Sequence, residues 1–379
     1  MPGIWTAPAA TPGIAPGNLL LLTDGTVLAQ DGGSAHWWRL TPDAQGQYTS
    51  GTWTQVASAA TARQYYASAV LRDGTVLVAG GEYTTDPNNP SDSTRTELYD
   101  PVRDRWLPVD PPAGWTAIGD APCSVLPNGQ VLLGNINTGA CALFDPASRY
   151  FTATGTKGNG SASEESWTLL PDGSVLTADC TGHPRSELWV KGTWQDAGQV
   201  PNDVVEDASI ETGPALLLPD GRVFAVGATG KTSFYVPGAA GAAGAWVGGP
   251  DLPRDGAAQL MAKDAPACLL PSGRVLLALS AVDGSKDDYG TTALLFEFDG
   301  NLYAPVTLPA PIPYGAYNLI LLLLPNGQAM LSKPDGFLFY TPEGAPQDQW
   351  RPTISQAPHS VYVVPIIPRT IVFKVSQKF

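Results

Sequence analysis

Ala67-Ser68-Ala69-Val70-Leu71-Arg72-Asp73-Gly74-Thr75-Val76-Leu77-Val78-Ala79 reads as two apolar runs joined by a turn. Short apolar runs bounded by turn residues are the pattern of strands covered on both faces. Asp-Gly or Asn-Gly between such runs is a hairpin signal, and a type I′ turn is the form expected. The pattern recurs at Asp24-Gly25, Asn128-Gly129, Asp172-Gly173, Asp220-Gly221, Ser272-Gly273 and Asn326-Gly327, with successive glycines 44 to 55 residues apart. Hairpins at that period mark a repeat architecture. The fold expected is all-β: a seven-bladed propeller of four-stranded antiparallel blades.

Each unit continues with a third strand carrying an aromatic, as in Leu98-Tyr99-Asp100-Pro101, Leu143-Phe144-Asp145-Pro146 and Phe339-Tyr340-Thr341-Pro342. A Trp then marks the outer strand at Trp53, Trp106, Trp194 and Trp246, while two blades end near Tyr150 and Tyr303. Gly3-Ile4-Trp5-Thr6 resembles Gly51-Thr52-Trp53-Thr54, so an outer-strand signature precedes the first hairpin. The N-terminal strand is therefore expected to complete the last blade, because closing the ring removes exposed sheet edges. Residues 1–350 are assigned to the propeller. Residues 351–379 are a C-terminal tail, either packed on the propeller or the opening of a truncated module.

The 379 residues include 41 Gly, 36 Pro and 11 Trp, which suits many turns and short strands. The net charge of −14 repels phosphate backbones, so nucleic-acid binding is not expected, and cations or basic partners are favoured. The longest apolar run, Leu319 to Leu324, is too short to span a bilayer, so no membrane insertion is expected. No basic region followed by an apolar stretch opens the chain, so no signal peptide is visible. Cys123, Cys141, Cys180 and Cys268 lack metal-type spacing and are expected to be buried free thiols.

The unit resembles a kelch repeat, and more closely the propeller of galactose oxidase and glyoxal oxidase. Gly3-Ile4-Trp5, Thr96-Glu97-Leu98-Tyr99-Asp100 and Tyr317-Asn318-Leu319 through Leu324-Pro325-Asn326-Gly327 carry the resemblance over about 350 residues. Arg351-Pro352-Thr353-Ile354 resembles the junction to the immunoglobulin-like domain that follows in those oxidases. The resemblance implies a secreted or cell-surface protein. It also implies a mononuclear copper held by two Tyr and two His, one Tyr being cross-linked to a Cys. Tyr99 stands at the cross-linked Tyr and Tyr317 at the axial Tyr, but the His after it is Asn318. The Cys position falls at Tyr66 or Ala67, and His36, His183 and His359 adjoin no matching Tyr. Copper favours imidazole ligands, so copper-radical oxidation is not expected.

Aligned on the turn, the starts of the seven innermost strands are Pro16, Tyr65, Asp120, Glu164, Thr212, Asp264 and Asn318, with Glu165 beside Glu164 and Glu211 beside Thr212. Four consecutive blades thus bring Asp120, Glu164, Glu211 and Asp264 to one end of the channel. Tyr65, Tyr66, Tyr317 and Asn318 come from the blades on either side. Asp31, Glu82, Asn135 and Asp179 follow the second strands and decorate the same face. Converging carboxylates suit calcium or another divalent cation, or an amine or guanidinium. The competing reading makes them solvated loop residues or acceptors for backbone amides. Trp37-Trp38 offer either a sugar-stacking surface or a packed third strand, and Glu164-Glu165 by themselves establish no acid/base pair. The expected role is non-catalytic binding of a protein or carbohydrate ligand, cationic in character, through this face. The alternatives are a metal-dependent lyase or cyclase using the mouth carboxylates, and a structural adaptor.

Overall fold

The computed structural model describes residues 3–86, 88–238 and 244–343, and the backbone pairing of Ser355–Gln356 with Tyr362–Val363. The tail expected over 351–379 otherwise lies outside the described residues. Seven antiparallel sheets of four strands form a ring, a seven-bladed β-propeller. The innermost strands run from Pro16–Leu21 in blade 1 through Ala67–Val70, Cys123–Val125, Thr168–Leu169, Ala215–Leu217 and Ala267–Leu269 to Ile320–Leu323 in blade 7.

The inner two strands of each blade are apolar because other blades cover both their faces. Every residue of Ala67–Val70 and Val76–Ala79 is buried. Leu20, Leu28 and Trp37 of blade 1 pack on Tyr66, Val70, Val76 and Tyr99 of blade 2. The outer strands face solvent along one edge, and Trp53 alternates with exposed neighbours in Thr52–Val56.

All seven hairpins use one turn, and it is not type I′. In blade 2, Gly74 N donates to Leu71 O at 2.9 Å and Leu71 N to Thr75 O at 2.8 Å, leaving a three-residue loop. Only Gly74 has positive φ, at 87°, and Asp73 Oδ1 accepts from Thr75 N at 3.0 Å. This is a type I turn closed by a left-handed glycine, the usual three-residue hairpin. The Asp or Asn serves as an acceptor for the amide two residues on, so it needs no positive φ itself.

Ring closure occurs as the sequence indicated. Ile4–Thr6 pairs antiparallel with Gly336–Thr341, with Trp5 opposite Tyr340 and their rings 4.8 Å apart. Leu322, Met330 and Phe339 of blade 7 then pack on Leu19, Val27 and Leu40 of blade 1. Blade 6 departs from the plain repeat. A hairpin of Arg254–Asp255 and Ala258–Met261 extends its sheet, Leu260 and Met261 pairing with Ala281 and Ser280. The four cysteines are buried and free. No helix among the described residues is long and apolar enough to cross a membrane.

Candidate functional site

Opposite the Asp-Gly turns, the chain enters each innermost strand at the mouth of the channel. Three of the aligned residues take left-handed backbone there: Tyr65 at φ 47°, Glu164 at 58° and Asp264 at 48°. In two other blades a residue just upstream does so, Gly119 directly before Asp120 and Ile210 two before Thr212. A left-handed residue costs free energy unless its surroundings hold it. Here it turns the chain into the strand. Asp264 N is fixed at 3.0 Å from Thr212 O of the neighbouring blade.

Glu164, Glu211 and Asp264 converge: one carboxylate oxygen from each lies within 4.8 Å of the others. Glu211 is 8% exposed and Asp264 9%. Asp120 is buried and interacts electrostatically with this group. Burial raises the Glu164 carboxyl well above the usual range, and the charges of Asp120, Glu211 and Asp264 add to the effect. Asp264 shifts the same way through burial and then Glu211, and Asp120 through burial and then Glu82 and Glu211. Glu82 reaches about 7, through burial followed by Asp92 and Glu211. Glu211 Oε1 accepts from the Tyr289 hydroxyl at 3.0 Å, while its Oε2 is buried with no donor on it. A carboxylate oxygen facing other carboxylates is satisfied by a proton, such as one shared with Asp264, by a water or by a cation.

Beside the acids, a cavity of about 270 Å³ opens between blades 1, 2, 6 and 7. Tyr65, Asp264, Tyr317 and Asn318 line it, with Pro266, Leu319 and Ile320 as its apolar wall. Burial and then the charge of Asp120 push the Tyr65 phenol up to about 12, so it stays protonated and a donor at neutral pH.

Several residues expected at the mouth lie elsewhere. Tyr66 is 1% exposed and sits in the core between blades 1 and 2, donating to Gln30 Oε1 at 2.6 Å. Trp37 is equally buried there, so it offers no sugar-stacking surface. Glu165 and Asp179 point away from the mouth into a separate buried group. There the Lys157 ammonium lies 2.5 Å from Asp179 Oδ1, 2.8 Å from Glu187 Oε2 and 3.1 Å from Glu165 Oε1. Asn135 and Asp31 do stay at the mouth end: Asn135 is buried and donates to Ala117 O at 2.8 Å, and Asp31 stands opposite Pro16 and accepts from Ala15 N at 3.3 Å. Tyr99 pairs with Val76, at the turn end of blade 2, and donates to Asp104 at 2.8 Å. It therefore lies at the opposite end of its blade from the mouth where Tyr317 stands.

Two mouth residues escaped the sequence reading. Tyr289 packs at a tilt against Tyr317 with ring centroids 5.1 Å apart, and Lys263 Nζ lies 4.1 Å from the centre of the Tyr289 ring. Lys263 Nζ also donates to Lys286 O at 2.9 Å, holding the loop that carries Tyr289. That loop is an insertion between the second and third strands of blade 6, outside the repeat register. Only the position of Lys263 next to Asp264 hinted at it.

No family model and no curated protein matches the sequence. Solved structures do match. A fungal alcohol oxidase of the AA5 family, in complex with copper, superposes with a TM-score of 0.67 at 14% identity, over 94% of this chain and 84% of that one. A streptogramin B lyase gives 0.62 at 11% identity, over 90% and 99%. A catalytically inactive virginiamycin B lyase from Staphylococcus aureus, with quinupristin, gives 0.60 at 12% identity, over 89% and 99%. Likeness at such identities shows the propeller fold, which hosts unrelated functions.

Proposed function

We propose that this protein is a binding propeller that takes a positively charged ligand at the mouth of its channel. The observation that carries this reading is the buried Glu211 Oε2, which has no donor and lies among the carboxylates of Glu164 and Asp264. Three converging carboxylates, two buried and Glu164 half-buried, repel one another unless a positive charge or protons offset them. The net charge of −14 would draw positive ligands toward the surface. Calcium suits the spacing: at a metal–oxygen distance of roughly 2.4 Å, oxygens up to about 4.8 Å apart can share one ion.

Copper-radical oxidation has no place in this reading. Asn318 replaces the imidazole expected beside Tyr317, and Tyr99 sits at the far end of its blade. Calorimetric titration with calcium chloride, then with agmatine, tests the proposal. At least one should give saturable binding to the parent and none to Glu211→Gln. Two flat titrations would end the cation reading.

A further inference from the structure

We infer that the cavity beside the acids receives an aliphatic ammonium or guanidinium, its charged head against Asp264 and its methylene stem along the apolar wall. This deepens the cation reading and rests on it. The cavity, about 270 Å³, is many times the room one ion or water needs. Its walls are of two kinds. Asp264 belongs both to the cavity and to the group formed with Glu164 and Glu211. The remaining lining includes Tyr65, Tyr317, Pro266, Leu319 and Ile320, with the amides of Gln30, Gln64 and Asn318. A bare metal ion would answer the carboxylates and leave that apolar surface to water. Long basic side chains and alkylamines carry an apolar stem behind a charged head, which matches both walls.

The chain itself shows how it houses an ammonium. Lys157 Nζ rests among three carboxylates and 4.8 Å from the centre of the Trp194 ring. The mouth offers a related set: three carboxylates, the Tyr289 ring that faces Lys263, and the Tyr317 ring beside it in the cavity lining. Among the described residues, no lysine or arginine forms a salt bridge with Glu164, Glu211 or Asp264, and the Lys263 ammonium offsets only part of the charge effect on Asp264. Carboxylate and aromatic face together are a recognised setting for organic cations.

Calorimetric titration with agmatine, 1-butylamine and 1-butanol tests this, with calcium chloride run in parallel. Agmatine and butylamine should bind saturably, and butanol, which has the stem without the charge, should not. Asp264→Asn should weaken agmatine binding about tenfold or more. Asn tolerates the left-handed backbone at this position, so the variant should fold. Tyr317→Ala should weaken agmatine about three- to fivefold and leave any calcium response unchanged. It serves as the test if Asp264→Asn fails to fold.

The tripeptide acetyl-Gly-Lys-Gly-amide separates sources. Binding at least as tight as butylamine means a group borne by a protein partner, and binding of free amines alone means a small molecule. Calcium binding with a flat agmatine titration would overturn this inference and leave the cation reading standing. Equal agmatine affinity in the parent and Asp264→Asn would also overturn it. Flat titrations with both would end the two together.

Discussion

Lys157 brings one positive charge to three buried carboxylates, and its partners come from separate segments of blade 4. Glu187 is tied further by the Gly158 amide at 2.7 Å, and Trp167 Nε1 donates to Glu165 Oε2 at 2.9 Å. Burial disfavours the ammonium, but the carboxylates outweigh it and raise the Lys157 pKa. Glu97 of blade 2 occupies the matching strand position and pairs with buried Arg63. These groups are internal ties between strands and loops of a blade. Removing one partner from a buried ionic group leaves the others uncompensated, which costs more than the pair contributes net. Lys157→Met should therefore destabilise the protein by about 3–5 kcal/mol, read as a lower urea midpoint with unchanged slope. A loss below about 1 kcal/mol would show that the three acids find protons or water without the ammonium.

Ile4–Thr6 is three residues long and too short to be stable alone, yet it completes blade 7. What holds it is the ladder to Gly336–Thr341 and the Trp5 ring against Tyr340. Gly3 leaves room for that ring, since a Cβ there would lie 2.2 Å from the Tyr340 hydroxyl. Without this strand, Gly336–Thr341 becomes an open edge at the seam of the ring. Deleting residues 1–10 should lower the melting temperature by several degrees or cause aggregation. A melting curve that matches the parent would mean the ring holds closed without its fourth strand there.

The whole ring concentrates acids at its centre, and this gives the folded molecule a pH dependence of definite sign. Glu82 has an ordinary carboxyl value of 4.5 and reaches about 7 when folded. The native state thus holds a proton that the unfolded chain releases. Its contribution to stability is full below about pH 4.5 and is lost as pH rises toward 7. Asp120, Glu164 and Asp264 shift in the same direction. Carboxyls such as Asp24, Asp100 and Asp220 are lowered and lose stability only under stronger acid. In cation-free buffer the melting temperature should be higher at pH 5.5 than at pH 8, and Glu82→Gln should shrink the difference. Calorimetric scans with equal or higher melting at pH 8 would contradict this balance of charges.

The hairpin pattern, the outer tryptophans and the extra Trp5 strand could all be read along the chain, because each rests on contacts a few residues long or on a repeat period. Apolar runs around Asp73-Gly74 needed only local hydrogen bonds to become a hairpin, although the form of the turn differed from expectation. The register that brings Asp120, Glu164, Glu211 and Asp264 to one end was also visible, since equivalent positions in a ring share one face. Where each side chain turned was not. Tyr65 and Tyr66 are neighbours, yet one lines the cavity and the other is buried between blades. Glu164 and Glu165 part in the same way, one to the mouth and the other to Lys157. Adjacent residues in extended chain face opposite sides, and at the strand starts a left-handed residue redirects that alternation. Tyr289 and Lys263 join the mouth only because a loop outside the repeat folds back over it. Such placement depends on contacts between residues far apart in the chain, and those exist only once the ring has closed.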